Sequence, residues 1–143
     1  MQALCKLSET YAPLLGRIMI AFIFLQSGYD KVFNYGKTVA LMQKMGVPMA
    51  EVLLVPSIVI LLGGGLMILL GWHARWAALA LIVFLIPATL YFHNYWAYPA
   101  TQHLNQFHHF VKNVAIFGAL FYIMGMGSGP LSLRKGGASH ELR

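Results

Sequence analysis

Charge is what this sequence has least of. Only 10% of its residues are Asp, Glu, Lys or Arg, against roughly 25% in soluble domains. A chain of 143 residues exposes too much surface to be covered by so few polar side chains, which excludes a water-soluble domain. Carboxylates are scarcest, four in all. Asp30 and Glu51 are the only ones away from the termini, and no serine sits in an elbow-like turn, so nucleophilic catalysis has little material. Cysteine occurs once, at Cys5. One cysteine gives no internal disulfide and no C-x-x-C pair, so redox chemistry here needs something other than a thiol pair. Haem, flavin and iron–sulfur signatures are absent as well. An electron-carrying group would have to come from a ligand or a partner subunit.

The charge that is present is basic, ten Lys and Arg giving a net +6. These residues are dispersed at the ends of apolar runs and form no patch, which argues against a nucleic-acid partner. What the sequence has in abundance is apolar length: 59% hydrophobic residues and a mean hydropathy of +0.67. Four runs stand out, about 13–31, 52–70, 76–96 and 107–127, followed by a basic tail over 128–143. The second, Val52 to Leu70, is uncharged and has the length of about 20 residues that a membrane-spanning helix requires. The chain reads as an all-α integral membrane protein, one four-transmembrane-helix bundle over 1–143 with the lipid bilayer around it. Tyr29, Asp30 and Lys31 follow the first run where a signal peptide would need small residues, so that helix is expected to be retained. Pro56 and Pro87 fall inside runs, which a bundle tolerates because neighbouring groups satisfy the freed carbonyls. The Gly63-Gly64-Gly65 tract reads as close helix packing, with Ala115 and Gly118 playing the same part in the last helix.

Orientation follows from the basic residues. An even number of spans puts both termini on one side, with Lys6, Arg17, Arg75, Arg134, Lys135 and Arg143. The other side has Lys31, Lys37, Lys44 and Lys112. This bias places both termini in the cytoplasm.

The opposite face carries the unusual polar residues. Gln26 and Asp30 stand four apart on the first helix, as do Ser27 and Lys31, so each pair shares a strip. Glu51 opens the second helix, where the macrodipole favours a carboxylate. His109, Lys112 and Asn113 share one face of the fourth. His93 ends the third among Tyr91, Tyr95, Trp96 and Tyr98; it reads either as an interfacial residue of an aromatic belt or as a functional group. If these faces point inward, ammonium groups, amides, imidazoles and a carboxylate converge on one mouth of the bundle, and ionisable residues in membrane segments are usually functional. The candidate ligand-binding residues are therefore Lys31, His93, Lys112, Asn113, Gln26, Asp30, Glu51 and His109. No metal is expected, because His103, His108 and His109 match no zinc spacing.

Several segments resemble one family. Leu15-Gly16-Arg17 through Gln26-Ser27-Gly28-Tyr29-Asp30-Lys31 resembles the opening helix of DoxX-like membrane proteins, with an Arg near its start and G-x-x-K at its end. Gly46-Val47-Pro48 is similar to the family's loop before helix two, and Gly63 to Gly71 with Arg75 to its glycine-bearing helix and charged turn. Phe110-Val111-Lys112-Asn113-Val114-Ala115-Ile116-Phe117-Gly118 is similar to its F-x-K-N-x-A-x-x-G signature, and Gly129-Pro130-Leu131-Ser132-Leu133 to its tail. Ala119 departs from the family, which often has a second glycine there. The resemblance covers about 13–135. It implies a four-helix bundle in the bacterial inner membrane, a link to quinone-associated oxidoreduction, and Lys31, His93, Lys112 and Asn113 as the residues to carry over. On this reading the bundle mouth holds a quinone or aromatic molecule between Phe107, Phe110, Trp96 and Tyr91, with a redox partner subunit and homo-oligomerisation both compatible. The alternative is a non-catalytic assembly subunit or small-molecule binder or carrier, in which Asp30 or Glu51 pairs with Lys31 or Lys112.

Overall fold

The computed structural model describes residues 2–133. From position 134 onward the basic tail lies outside the described residues. The order is α1 Gln2–Phe33, α2 Tyr35–Lys44, α3 Ala50–Leu70, α4 Ala74–Phe92, a 3-10 turn Tyr95–Ala97, and α5 Ala100–Met126. Among the described residues there is no strand. Four helices, α1, α3, α4 and α5, are long and apolar enough to cross a membrane. Their outward faces carry Met19, Phe22, Val59, Val83 and Tyr122, each more than half exposed. Such a surface is matched to lipid, not to water.

The helices differ from the four apolar runs at their ends. α1 begins at Gln2 and not at about 13; its 32 residues extend about 48 Å, well past a hydrocarbon core of about 30 Å. α4 stops at Phe92, before the end of the run 76–96, and α5 starts at Ala100, before the run 107–127, so the two are joined by a short 3-10 turn. The connection over 34–50 contains a helix of its own, α2. Val39 and Met42, three apart on one face of α2, are buried with Ala50 and Leu54. Gly46, at φ +76°, ends α2 in the left-handed turn that glycine adopts without strain, its N–H bonding to the Gln43 carbonyl at 3.0 Å.

α1 packs on α3, α3 on α4, and α4 on α5, with no comparable backbone seam between α1 and α5. The main core runs through the middle, from Ala21 and Phe24 on α1 to Leu81 and Ile82 on α4 and Ile116 and Leu120 on α5. Glycines set the closest approaches. A Cβ at Gly28 would lie 2.7 Å from Leu62 Cδ2, one at Gly64 2.9 Å from Leu81 Cγ, and one at Gly65 3.0 Å from Leu25 Cγ. Gly63 has no such neighbour within 4 Å, and neither has Gly118. Ala115 is exposed. The packing role therefore belongs to Gly28, Gly64 and Gly65, not to Ala115 and Gly118. Gly65→Leu is expected to cost roughly 1–3 kcal/mol by overpacking, while Gly63→Leu leaves stability unchanged. Thermal unfolding of both variants in one detergent checks the contrast.

At the end where Pro13 of α1 and the C-terminal end of α5 lie, the segment after α5 closes the missing seam. Gly129 lies against Pro13 of α1, and Leu133 N–H bonds to the Leu70 carbonyl at the end of α3, 3.0 Å away. Arg17 joins them: Nη2 donates to the carbonyls of Leu131 at 2.7 Å and Pro130 at 3.3 Å. Its side chain is 2% exposed. Arg17 is thus no interfacial anchor, as its place near the start of an apolar run suggests, but a buried fastener of this strap.

Candidate functional site

At the opposite end no segment among the described residues closes the gap between α1 and α5, and a cavity of about 680 Å³ opens there. All five helices contribute to it. The walls are mainly apolar, with Phe24, Leu54, Phe84 and Phe92 among them. Thr38, Leu41 and Met42 of α2 form one side, so the short helix absent from the run pattern shapes the mouth. Pro87 of α4 is also part of the lining. Both prolines sit within continuous helices. One turn or less beyond each, a hydroxyl bonds back to a helix carbonyl, Ser57 to Leu53 and Thr89 to Leu85, both at 2.7 Å. Such back-bonding accompanies bent helices.

Six candidate residues line this cavity: Gln26, Asp30, Lys31, His93, Lys112 and Asn113. Lys31 is half-buried, and Nζ donates to Ser27 Oγ at 2.9 Å. Asp30 accepts from Asn34 Nδ2 at 2.8 Å. Asn113 is 6% exposed and donates through Nδ2 to Thr89 Oγ1 at 2.9 Å, whose hydroxyl continues to the Leu85 carbonyl. This relay fixes the carboxamide and leaves its oxygen as an acceptor.

The other two candidates stand apart from the lining. Glu51 is exposed; its backbone carbonyl accepts the Tyr35 hydroxyl at 2.9 Å. His109 lies behind the wall. It stacks on His93 with ring centroids 4.9 Å apart, and Lys112 Nζ donates to its Nδ1 at 3.1 Å. His93 in turn uses Nδ1 to reach Gln106 Oε1 at 2.9 Å. His93 and Lys112 are thereby aimed by groups outside the cavity. His103 instead meets the edge of Tyr95, and His108 lies beside Phe107. Among the described residues no group of three His, Cys, Asp or Glu could hold a metal ion.

Two expectations are corrected. Among the described residues the lysines make no hydrogen bond to Asp30 or Glu51: Lys31 bonds to Ser27, Lys112 to His109 and Asp30 to Asn34, and Asp30 acts on Lys31 through its charge alone. Each of these partners is only three or four residues away along the chain. Of the aromatics set around a ring, only Tyr91 lines the cavity. Phe107 and Phe110 pack edge-on to Tyr95, and so does Trp96, in a separate cluster under the 3-10 turn. Thr89, Gln106 and Thr38 are site residues that the run pattern did not single out. Thr89 left one sequence signal, a hydroxyl within an otherwise apolar run.

The fold and the cavity define a four-helix membrane protein with a polar, asymmetric mouth. The sequence profile of the DoxX family matches residues 12–94, and the chain belongs to that family. It is 28% identical over 120 residues to the Escherichia coli inner membrane protein YphA, covering 84% of this chain and 86% of the relative. It is 30% identical over 129 residues to the Escherichia coli inner membrane protein YqjF, covering 90% and 93%. No solved structure matches the chain. The protein is a multi-pass protein of the inner membrane.

Proposed function

We propose that this protein is a quinone- or aromatic-compound-linked component of a membrane oxidoreductase, with the cavity between α1 and α5 as its binding site. The observation that carries the reading is the chemistry of the lining. An apolar slot holds two lysines and an imidazole as donors, and among the described residues neither lysine hydrogen-bonds to a carboxylate, although the Asp30 charge lies beside Lys31. Ligand sites have this composition, mostly apolar with a few placed polar groups. A quinone fits it: Lys31, Lys112 and His93 offer donors to ring oxygens, and Tyr91, Phe84 and Phe92 offer apolar contact. Bound quinone would supply the electron-carrying group. The chain's own part is to bind and orient the ring and to limit water. Both termini are cytoplasmic in this reading, which puts the cavity at the non-cytoplasmic mouth.

The test is mass spectrometry with absorption spectroscopy on protein purified from its native membranes in mild detergent. Stoichiometric quinone, reducible in place and lost in Lys112→Met, is expected. Protein with no copurified quinone and no quinone binding on addition overturns the redox reading. A bound small molecule of another kind would favour the non-catalytic binder or carrier, and copurifying membrane proteins the assembly subunit.

A further inference from the structure

The most unusual group outside the cavity is the Arg17 guanidinium. Nη2 bonds to two carbonyls of the strap, but Nε and Nη1 are buried with no hydrogen-bond partner among the described residues. Arginine stays charged in proteins, so a full positive charge is sealed here against neutral carbonyls. Buried charges without counter-ions are costly, and each such orphaned group calls for an explanation. The internal carboxylates do not supply one. Asp30 lies at the other mouth and Glu51 opens α3 there, while Glu9 is exposed on α1, about 12 Å along the helix from Arg17.

The cover over Arg17 is itself under strain. Leu131, whose carbonyl takes the shortest bond, has φ +55°, a left-handed conformation that side chains adopt at a cost. Gly129, at φ +69°, is pressed on Pro13. A second guanidinium, Arg75, lies beside the base of the strap, 3.4 Å from where a Cβ on Gly127 would stand. Two arginines thus face one short, strained segment at the end of the bundle opposite the cavity.

We propose that Arg17 is a gated site for a phosphate-class oxyanion, with the strap Gly127–Leu133 as the gate. The anion takes the place of the Leu131 and Pro130 carbonyls, occupies the guanidinium fork and relieves the strained backbone. Arginine forks match phosphate oxygens through paired, charge-assisted bonds that are stronger than those to neutral carbonyls. The phosphate is either the headgroup of an anionic lipid or free inorganic phosphate. Its binding reopens the α1–α5 seam at the end opposite the cavity.

The full chain in detergent is titrated with phosphatidylglycerol, with inorganic phosphate, or with a neutral galactosyl diacylglycerol. Thermal midpoint and hydrogen exchange at the Leu133 amide are followed. Phosphatidylglycerol, inorganic phosphate or both are expected to raise the midpoint and to speed Leu133 exchange at least fivefold. Whichever acts at the lower concentration identifies the source. Arg17→Gln removes the response. Gly129→Ala leaves Arg17 intact but opposes the closed strap through both its positive φ and its contact with Pro13, so it tightens phosphate binding several-fold. Equal response to the glycolipid, an undiminished response in Arg17→Gln, or unchanged affinity in Gly129→Ala overturns the proposal. So does release of the strap by Glu141→Gln without added anion, which would make the counter-ion internal.

Discussion

Gly71→Ala is expected to be among the most disruptive single-methyl changes in this protein. Gly71 ends α3 at φ +67°, and a Cβ there would collide with Arg17 Nη1 and with Ser132 Cβ. Two costs add. The left-handed backbone disfavours alanine by roughly 1–2 kcal/mol, and forcing atoms into a filled space costs typically 1–3 kcal/mol more. The expected loss is about 3 kcal/mol, with release of the strap that Arg17 and Leu70 hold. Gly46→Ala separates the two costs. Gly46 has φ +76° but nothing within 4 Å of a Cβ, so only the backbone penalty remains. Thermal unfolding of both variants, with and without Arg17→Ala, measures the steric share as a coupling energy. Equal losses in Gly71→Ala and Gly46→Ala would show that Arg17 does not press on this turn.

The turn at Gly71 is legible in the sequence, but the contact of Arg17 with it is not. The four spans were legible because lipid imposes a one-dimensional rule: long apolar runs with charges at their ends. That rule treats Arg17 as a flanking charge, since it stands four residues inside a run beginning near Pro13. It is blind to a helix continuing through polar residues, so it starts α1 eleven residues late. α2 was hidden for the opposite reason. Tyr35–Lys44 is too polar to be a span, but Val39 and Met42 at i and i+3, with Gly46 just past the end, form the pattern of a short amphipathic helix.

The polar cluster was legible only as a gathering at one mouth. Periodicity places Gln26 and Asp30 on one strip and Lys112 and Asn113 on one face with His109, and all of these but His109 line the cavity. Periodicity says nothing about which strips face one another across a bundle. Hence Glu51, about one turn from the cavity residue Leu54, stands outside, and Phe107 and Phe110 turn toward Tyr95. The missing seam between α1 and α5, which creates the cavity, depends on helix order in space, and no run of residues encodes that locally.

Lys31→Met discriminates the two readings of the cavity more sharply than any other change. Had Lys31 paired with a carboxylate, removing the ammonium would strand a buried charge and cost about 3–5 kcal/mol. Its partner is instead the Ser27 hydroxyl, one turn back on the same helix. A serine hydroxyl released from this bond turns to a carbonyl of its own helix, so nothing is stranded. Methionine also retains most of the aliphatic stem. The thermal midpoint of the ligand-free protein should therefore stay level or rise. A ligand oxygen facing this ammonium loses a charge-assisted hydrogen bond of about 1.5–3 kcal/mol, so affinity for quinone should fall at least tenfold. Asn113→Leu should behave differently, because it breaks the bond to Thr89 in the buried relay and loses about 1 kcal/mol of stability along with binding. Thermal unfolding and quinone titration on the same two preparations separate these outcomes. A Lys31→Met protein that melts lower and binds quinone unchanged would make the lysine a structural element and empty the cavity of its strongest donor.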